Sequence, residues 1–249
     1  MKKILALSLL AILVLAGCSN PVILDGSLAD EGTAEGRYAW PRTLREGMSG
    51  ADVKELQIRV AGWAADGSSK TYVALDGQFG PGTKAAVIRF QRANGLVADG
   101  IVGPATQAKL NALQDADGST AHFAFSEFYS KDGSGFSGGK VSATTVKENV
   151  RRLMWKLEAL RQKCGNRAIT INSGFRSIAH NRAVGGVSNS MHLYGIAADI
   201  VVSGVSVATV RTKAMSCGFS GIITYGTFNH VDSRMEYPYG AQSWYWAYD

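Results

Sequence analysis

The stretch Ser188–Ile200, SNSMHLYGIAADI, places a histidine seven residues ahead of an aspartate, at the start of a strongly apolar run. His192 and Asp199 flank Gly195 and a pair of alanines, and the chain of 249 residues has only four histidines. Two interpretations are open: a buried structural turn, or part of a metal site. The choice depends on whether a third ligand can reach the pair.

All four histidines follow residue 120, at positions 122, 180, 192 and 230. A catalytic zinc ion takes three protein ligands from His, Asp or Glu and keeps a fourth position for water. His230 lies in a short strand-like segment, where the period of two puts His230 and Asp232 on one face. His192, Asp199 and His230 are therefore the candidates for a zinc site. The other two histidines, His122 and His180, are expected to be hydrogen-bonded residues of the core.

The spacing of these residues resembles that of a known enzyme family. The pattern is Ser190-x-His192-x-x-Gly195-x-Ala197-x-Asp199, followed later by His230-Val-Asp232. It is similar to the zinc D-alanyl-D-alanine peptidases and their endopeptidase relatives, which share a fold with lysostaphin-type enzymes and the Hedgehog signalling domain. Upstream, Ser173-Gly-Phe-Arg176-Ser177 matches the family's Ser-Gly-Tyr-Arg-Ser loop. The resemblance covers most of residues 121–246.

The resemblance implies roles for four residues. Zinc would be ligated by His192, Asp199 and His230, and Arg176 would contact the carboxylate or carbonyl oxygen of the substrate. The chemistry of these residue types agrees, because zinc acidifies a bound water and the planar arginine fork suits a carboxylate or an oxyanion. The implied activity is hydrolysis of a peptide bond next to a D-amino acid.

The general base is the point at which the match weakens. Some family members carry an acidic residue three positions before the last histidine ligand, and here that position is Thr227, which cannot act as a base. Other members have the His-x-Asp form seen here, which makes Asp232 the candidate base. Asp232 could instead orient His230 from behind, as partners of metal-bound histidines often do. Both roles stay open.

Mixed helical and strand patterns surround these motifs, from residue 121 to 249. Apolar residues at helical spacing predict one long amphipathic helix over residues 144–163 and a second over 207–215. Short β-like runs occupy residues 168–173, 199–202, 222–225 and 230–232, and an irregular glycine-rich loop precedes His192. These patterns predict a mixed α+β domain, and the resemblance to the zinc D-alanyl-D-alanine peptidases implies that it is a catalytic domain of Hedgehog/DD-peptidase-like fold.

An internal repeat marks a separate region ahead of that domain. Asp76-Gly-Gln-Phe-Gly-Pro-Gly-Thr83 recurs as Asp99-Gly-Ile-Val-Gly-Pro-Ala-Thr106, and each copy leads into a helical pattern. Proline is well tolerated in the first turn of a helix, where its missing N–H is not needed. With the flanking Gln57 and Gln91 segments, the repeat resembles the three-helix peptidoglycan-binding domain. The predicted domain spans residues 42–115, and residues 114–120 form a linker to the catalytic domain.

The first 18 residues have the features of an export signal. Two lysines precede an apolar run that is too short to cross a bilayer comfortably, and Leu15-Ala-Gly-Cys18 resembles the lipobox of bacterial lipoproteins. The resemblance implies that Cys18 carries a lipid that anchors the protein to a membrane. The alternative is an ordinary cleaved signal. Residues 19–41 would be a tether, and Ser19 would suit an outer-membrane location facing the periplasm in a Gram-negative cell.

Export also sets the expectations for cysteines and partners. Cys164 and Cys217 remain after acylation of Cys18, so a disulfide and two separate buried thiols are both compatible with an oxidising compartment. The formal net charge of +6 suits an acidic polymer such as peptidoglycan. Nucleic acid is a poor fit, because the basic residues are scattered and the chain is predicted to be exported.

These features together predict a cell-envelope, zinc-dependent peptidoglycan hydrolase, either a carboxypeptidase or an endopeptidase. A non-catalytic peptidoglycan-binding lipoprotein with a structural zinc site is the alternative, because position 227 lacks an acid.

Overall fold

The computed structural model describes residues 37–249, so the predicted signal, Cys18 and most of the tether lie outside the described residues. Its helices are α1 (Ala51–Val60), α2 (Pro81–Ala93), α3 (Pro104–Asn111), α4 (Ala143–Lys163), α5 (Ile178–Ala183) and α6 (Val207–Ala214). Its strands are β1 (Ile169–Ser173), β2 (Ala197–Val202), β3 (Gly221–Thr224), β4 (Asn229–Asp232) and β5 (Tyr245–Tyr248). The predicted fold class, a small helical region followed by a mixed α+β region, is confirmed.

Helices α1 to α3 form the first region around a small apolar core. The repeated prolines stand in the first turn of α2 and of α3, as the sequence predicts. Apolar side chains from all three helices are buried: Val53, Leu56, Val60, Phe90 and Leu110. Burial of one such side chain stabilises the fold by about 1.5–3 kcal/mol, so these few residues account for the region's compactness.

Each copy of the repeat is held by a buried glutamine of the preceding helix. Gln57 donates from Nε2 to Asp76 Oδ1 at 2.8 Å, Gln78 O at 2.9 Å and Thr83 Oγ1 at 3.1 Å, and its Oε1 accepts from Gly77 N at 2.8 Å. Gln91 makes the same set of contacts in the second copy. Its partners are Asp99 Oδ1, Ile101 O, Thr106 Oγ1 and Gly100 N. The repeated aspartates and threonines therefore fold the loops.

Helix α4 organises the second region. Ser142 caps it, because the Ser142 Oγ accepts a hydrogen bond from Thr145 N at 3.1 Å. The predicted apolar face is buried along its whole length: Val146, Val150, Leu153, Leu157 and Leu160. Its bounds agree with the predicted helix to within one residue.

The five strands form one sheet in the order β1-β2-β4-β3-β5. All neighbours are antiparallel except β3 and β5, which are parallel. Ala198, Ile200, Val231 and Ile222 belong to the same core cluster as the α4 side chains. Because side chains alternate along a strand, Asp199, His230 and Asp232 lie on the opposite face.

Two elements of the second region were not predicted. The six residues of α5 lie within the expected irregular loop, where Ser177 Oγ accepts from His180 N at 2.9 Å and starts the helix. Strand β5 lies in the aromatic segment at residues 244–248, which none of the predicted strands covers. It pairs with β3 from Gly221↔Tyr245 to Thr224↔Tyr248 and becomes the sheet's edge.

The two regions pack directly against each other within one compact unit. Arg151 of α4 donates from Nη1 and Nη2 to both carboxylate oxygens of Glu55 of α1, each at 2.9 Å. Arg59 is buried and lies over the Trp155 ring, 5.0 Å from its centroid. The predicted linker is a hydrogen-bonded turn, in which Asp115 N donates to Ser119 O at 3.0 Å.

None of the helices in residues 37–249 combines the length and apolar character that a membrane crossing needs.

Candidate metal centre

The three candidate zinc ligands come from one face of the sheet and the turn that leads into it. His192 lies in a short 3-10 turn, Met191–Tyr194, just before β2. Asp199 of β2 and His230 of β4 are directly paired across the two strands. Gly195 ends the turn with φ of 72°, and a Cβ there would lie 3.0 Å from Val146 O. A glycine is thus required for the chain to turn His192 back over the sheet.

The donor atoms of the three residues form a small triangle. His192 Nε2 lies 3.2 Å from His230 Nδ1 and 3.2 Å from Asp199 Oδ1, and His230 Nδ1 lies 2.8 Å from Asp199 Oδ1. Tetrahedral zinc with bonds of about 2.0–2.1 Å places its ligand atoms about 3.3 Å apart. Two imidazoles and one carboxylate are also a donor set that zinc favours. The residues present therefore fit a zinc ion.

Each candidate ligand is held in orientation by a contact on its far side. His192 Nδ1 donates to Gly174 O at 2.6 Å, which leaves Nε2 for the metal. His230 Nε2 lies 3.2 Å from Asp232 Oδ2, and Arg176 Nη2 donates to Asp199 Oδ2 at 2.6 Å. The contacts of the two histidines fix the ring tautomer, and a carboxylate partner raises the basicity of the imidazole. The contact with Arg176 fixes the orientation of the Asp199 carboxylate.

Burial and the neighbouring charges shift the pKa values of all three groups. Burial alone would raise the pKa of Asp199, but contacts with His192 and His230 hold it well below its usual range. Burial lowers the pKa of His192 and outweighs its contact with Asp199. Burial also opposes the charged form of His230, yet Asp199 and Asp232 raise its pKa to about 9. In the metal-free protein one carboxylate and one imidazolium thus share the site.

A cleft of about 610 Å³ opens onto this cluster. One wall is the loop after α5 and the turn before β2, and the other is formed by the β3–β4 hairpin and the segment after β4. The rings of Tyr225 and Phe228 stack with centroids 4.4 Å apart on the hairpin. The lining residues outside the cluster include Arg176, Val184, Val187, Met191, Ile223 and Arg234.

Arg176 and Asp232, the other two predicted site residues, have different environments. Arg176 lines the cleft and donates from Nε to Ser173 Oγ at 2.8 Å. Asp232 has no exposed surface and is not among the described residues that line the cleft. Its carboxylate accepts from Arg234 Nε at 2.9 Å and Nη2 at 2.6 Å. Of the two expected roles of Asp232, this geometry suits orientation of His230 rather than proton transfer from a water in the cleft.

The remaining two histidines lie away from the cluster. His122 is hydrogen-bonded as expected, since its N and Nδ1 meet the two carboxylate oxygens of Glu158 at 3.0 and 2.8 Å, but it is exposed rather than buried. His180 lies on α5 and is half-buried.

The structure has Cys164 and Cys217 as free, buried thiols and does not contain the disulfide considered above. Cys217 Sγ instead donates to Lys213 O at 3.4 Å, within the turn that follows α6. Burial raises the pKa of Cys217, and it raises the pKa of Cys164 to about 11, so both thiols are protonated at neutral pH.

Sequence reasoning missed three contributors to this site. Gly174 acts through its backbone carbonyl, which a side-chain pattern does not reveal. Ser173 belongs to the matched loop, yet nothing in the sequence indicated that its hydroxyl would hold Arg176. Arg234 is two residues beyond Asp232, but only the turn after β4 brings its guanidinium onto that carboxylate.

Comparisons with known proteins agree with this geometry. The peptidase M15 family model matches residues 121–232, and a putative peptidoglycan-binding domain model matches residues 49–110. The zinc D-Ala-D-Ala carboxypeptidase of Streptomyces albus G is 43% identical over 223 residues, which make up 90% of this chain and 86% of that protein.

A solved structure from the comparison is similar to a smaller part of the chain. It is a peptidoglycan-binding protein from Clostridioides difficile in complex with glutamine hydroxamate, with 38% identity and a TM-score of 0.26. The match covers 30% of this chain and 44% of that one, which is less than half of its length.

The Streptomyces relative aligns with nearly the whole chain, and the zinc-compatible cluster lies inside the part that the M15 model matches. This chain belongs to the zinc D-Ala-D-Ala carboxypeptidases of the peptidase M15 family, with a peptidoglycan-binding domain ahead of the peptidase domain.

Proposed function

We propose that this protein is a peptidoglycan hydrolase that uses zinc to cleave a peptide bond next to a D-amino acid. The observation that carries the proposal is the triangle of three buried donor atoms, 2.8–3.2 Å apart, at the base of an open cleft. Zinc held there supplies Lewis acidity toward a water molecule and a carbonyl oxygen.

The protein's own side chains would divide the remaining work. His192, Asp199 and His230 hold the ion, and the contacts on their far sides keep them in one geometry. Arg176 holds Asp199 through one edge of its guanidinium and presents cationic surface to the cleft, where it can bind a terminal carboxylate or a developing oxyanion. Asp232 positions His230 through its Nε2.

The arrangement favours catalysis over a structural zinc site. Structural zinc is usually enclosed by four protein ligands, whereas a catalytic site keeps one position open. Within residues 37–249, the only group of His, Cys, Asp or Glu residues that could hold a metal is this set of three. The cleft beside this set leaves room for water and substrate. The lack of an acid at position 227 is therefore not enough to favour the structural alternative.

The decisive experiment is to incubate the purified protein with intact sacculi and identify the released fragments by mass. Stem peptides shortened by one D-alanine would indicate a carboxypeptidase, and split cross-linked dimers would indicate an endopeptidase. His192→Ala is expected to abolish both zinc content and hydrolysis. Full hydrolysis by a metal-free His192→Ala protein would refute the proposal.

A chelator separates enzyme from binder with the wild-type protein. The enzyme loses turnover on zinc removal and regains it on zinc addition, while sedimentation with sacculi persists through the peptidoglycan-binding domain. A protein that never releases fragments but always sediments would be the binding lipoprotein of the alternative interpretation.

We also propose that the domains span residues 42–115 and 121–249, and that Cys18 is acylated and anchors the protein to a membrane of the cell envelope. The lipobox-like segment before Cys18 supports the anchor. Radiolabelled palmitate should enter the wild-type protein in cells, and Cys18→Ser should remain unlabelled. Equal labelling of both would contradict acylation at Cys18.

A further inference from the structure

A second cleft, of about 470 Å³, lies where the two packed regions meet. The end of α2, α3 and the residues just after it, and the C-terminal half of α4 form its walls, and it shares no residue with the cleft at the metal centre. Its lining side chains include Lys109, His122, Glu158, Arg161 and Gln162.

The walls of this junction cleft are fixed to each other. Gln162 of α4 accepts from Trp63 Nε1 at 3.0 Å and donates to Ala93 O at 2.9 Å, so one side chain joins both regions. At Gly62, a Cβ would lie 2.4 Å from Ala159 Cβ, which shows how closely the backbones approach. A cleft with preformed walls binds a ligand without the entropy cost of ordering them.

The charges available to a ligand in the junction cleft are positive. The single lining acid, Glu158, is buried, and both of its oxygens are taken by His122. Lys109 and Arg161 have no acidic partner among the described residues, and Arg161 makes one long contact, from Nη1 to Asn166 Oδ1 at 3.4 Å. Two cations thus face a cleft whose only carboxylate is already hydrogen-bonded through both of its oxygens.

We propose that the junction cleft is a second substrate site, which binds a carboxylate of the peptidoglycan stem peptide between Lys109 and Arg161. The arginine fork matches a planar carboxylate, and the side-chain NH2 of Asn166, which also lines the cleft, offers a hydrogen-bond donor to a peptide backbone. The proposal rests on the proposed function only in identifying the bound anion as a carboxylate of peptidoglycan. Phosphate groups of an anionic wall polymer have related chemistry, and the experiment below distinguishes them from the stem-peptide carboxylate.

Binding at the junction cleft would hold a peptidoglycan strand at two sites of the same compact unit. The junction cleft and the metal-centre cleft belong to the same compact unit, so a strand bound at the first site is kept close to the second without a flexible tether. The effective concentration of scissile bonds then depends on this fixed geometry.

Nuclear magnetic resonance can test the site without any hydrolysis. The ligand is a soluble disaccharide-tripeptide, which lacks the D-Ala-D-Ala bond. The reporter is the indole N–H of Trp63, which is hydrogen-bonded to Gln162 at the edge of the cleft. We expect the Trp63 signal to shift on titration. Lys109→Glu and Arg161→Glu should each raise the Kd read from it by about tenfold, the size of one lost charged contact.

Matched controls make the result decisive. Lys131→Glu changes the same charge at an exposed position outside the cleft and should leave the Kd unchanged. The same tripeptide with its carboxylates amidated should bind at least tenfold more weakly, and a glycerol phosphate polymer should not displace it at equal charge concentration.

Three results would overturn the proposal: an unmoved Trp63 signal, equal Kd values for Lys109→Glu and Lys131→Glu, or tighter binding of the phosphate polymer. None of these readouts depends on zinc or on turnover. A failed junction cleft would therefore leave the hydrolase proposal standing, and a failed hydrolase assay would leave the binding result intact.

Discussion

Asp232 and Asp199 contact opposite nitrogens of the same imidazole. The Oδ2 atom of Asp232 lies 3.2 Å from Nε2 of His230, while Nδ1 of that ring lies 2.8 Å from Oδ1 of Asp199. Asp232 has no exposed surface, and Arg234 covers its carboxylate from the cleft side. A carboxylate in this position would act on a bound metal through the ring, by fixing the orientation and charge of the imidazole.

Asp232→Asn is therefore expected to weaken zinc binding by about 10–100-fold, the usual effect of removing a carboxylate behind a metal-bound histidine. Competition with a chelator measures the zinc affinity, and kcat is measured at saturating zinc. Excess zinc should restore most of the activity. The opposite pattern, an unchanged zinc affinity with a kcat that saturating zinc cannot restore, would make Asp232 the general base.

The glutamines that hold the two repeat copies give a second prediction. Gln57→Ala and Gln91→Ala each leave one buried backbone N–H without its partner and remove one of several donors to a carbonyl and a carboxylate. Each should therefore lower the free energy of unfolding by about 1–3 kcal/mol. Chemical denaturation measures this change. Gln78→Ala, at an exposed position in the same loop, should change it by about 0.5 kcal/mol or less. Similar losses at Gln57 and Gln78 would refute the structural role of the buried glutamines.

The close approach of the two regions gives a third prediction. A Cβ at Gly62 would lie 2.4 Å from Ala159 Cβ and 2.9 Å from Lys156 Cα. Gly62→Ala should therefore lower the free energy of unfolding by about 1–3 kcal/mol, as overpacking usually does. Gly67→Ala is the matched control, because nothing lies within 4 Å of its added Cβ. If the Gly62→Ala protein were as stable as the Gly67→Ala protein, the close contact between the two regions at Gly62 would contribute nothing to the free energy of unfolding.

The sequence predicted most of what local pattern determines. Helix α4 and strands β1 to β4 follow from periodicity, and the three candidate ligands follow from the spacing around His192 and His230. Helix α5 escaped prediction because six residues are too few to establish a period. Strand β5 escaped because its pairing with β3 is a long-range contact between an aromatic tail and a strand more than 20 residues away.

The contacts that hold the site together were harder to predict than its ligands. The burial of Asp232 depends on the turn that brings Arg234 back over it, and the orientation of His192 depends on a backbone carbonyl. The direct packing of the two regions was also missed, because residues 114–120 have the composition of a linker while α1 and α4 carry the contact. In each case the deciding interaction joins residues that are distant in sequence or involves backbone atoms.

A last prediction concerns pH. The hydrogen bond from Gln57, together with Gln78 N–H, lowers the pKa of Asp76, and the N–H of Ile101, together with Gln91, lowers the pKa of Asp99. A carboxyl group whose pKa is lower in the folded state stabilises the fold above its unfolded pKa of about 3.9. That stabilisation is lost as the pH falls below this value. The wild-type protein should accordingly melt at a lower temperature at pH 3 than at pH 6.

Other aspartates with lowered pKa values, among them Asp132 and Asp199, contribute to the same trend, so the informative quantity is a difference between proteins. The double variant Asp76→Asn and Asp99→Asn should melt below the wild type at pH 6, because the amides are weaker acceptors. Between pH 6 and pH 3 its melting temperature should fall by less than that of the wild type, since two titrating groups are gone. Calorimetry of both proteins at both pH values gives the four melting temperatures that this comparison needs. Parallel declines in the two proteins would mean that the repeat aspartates carry no pH-dependent stability.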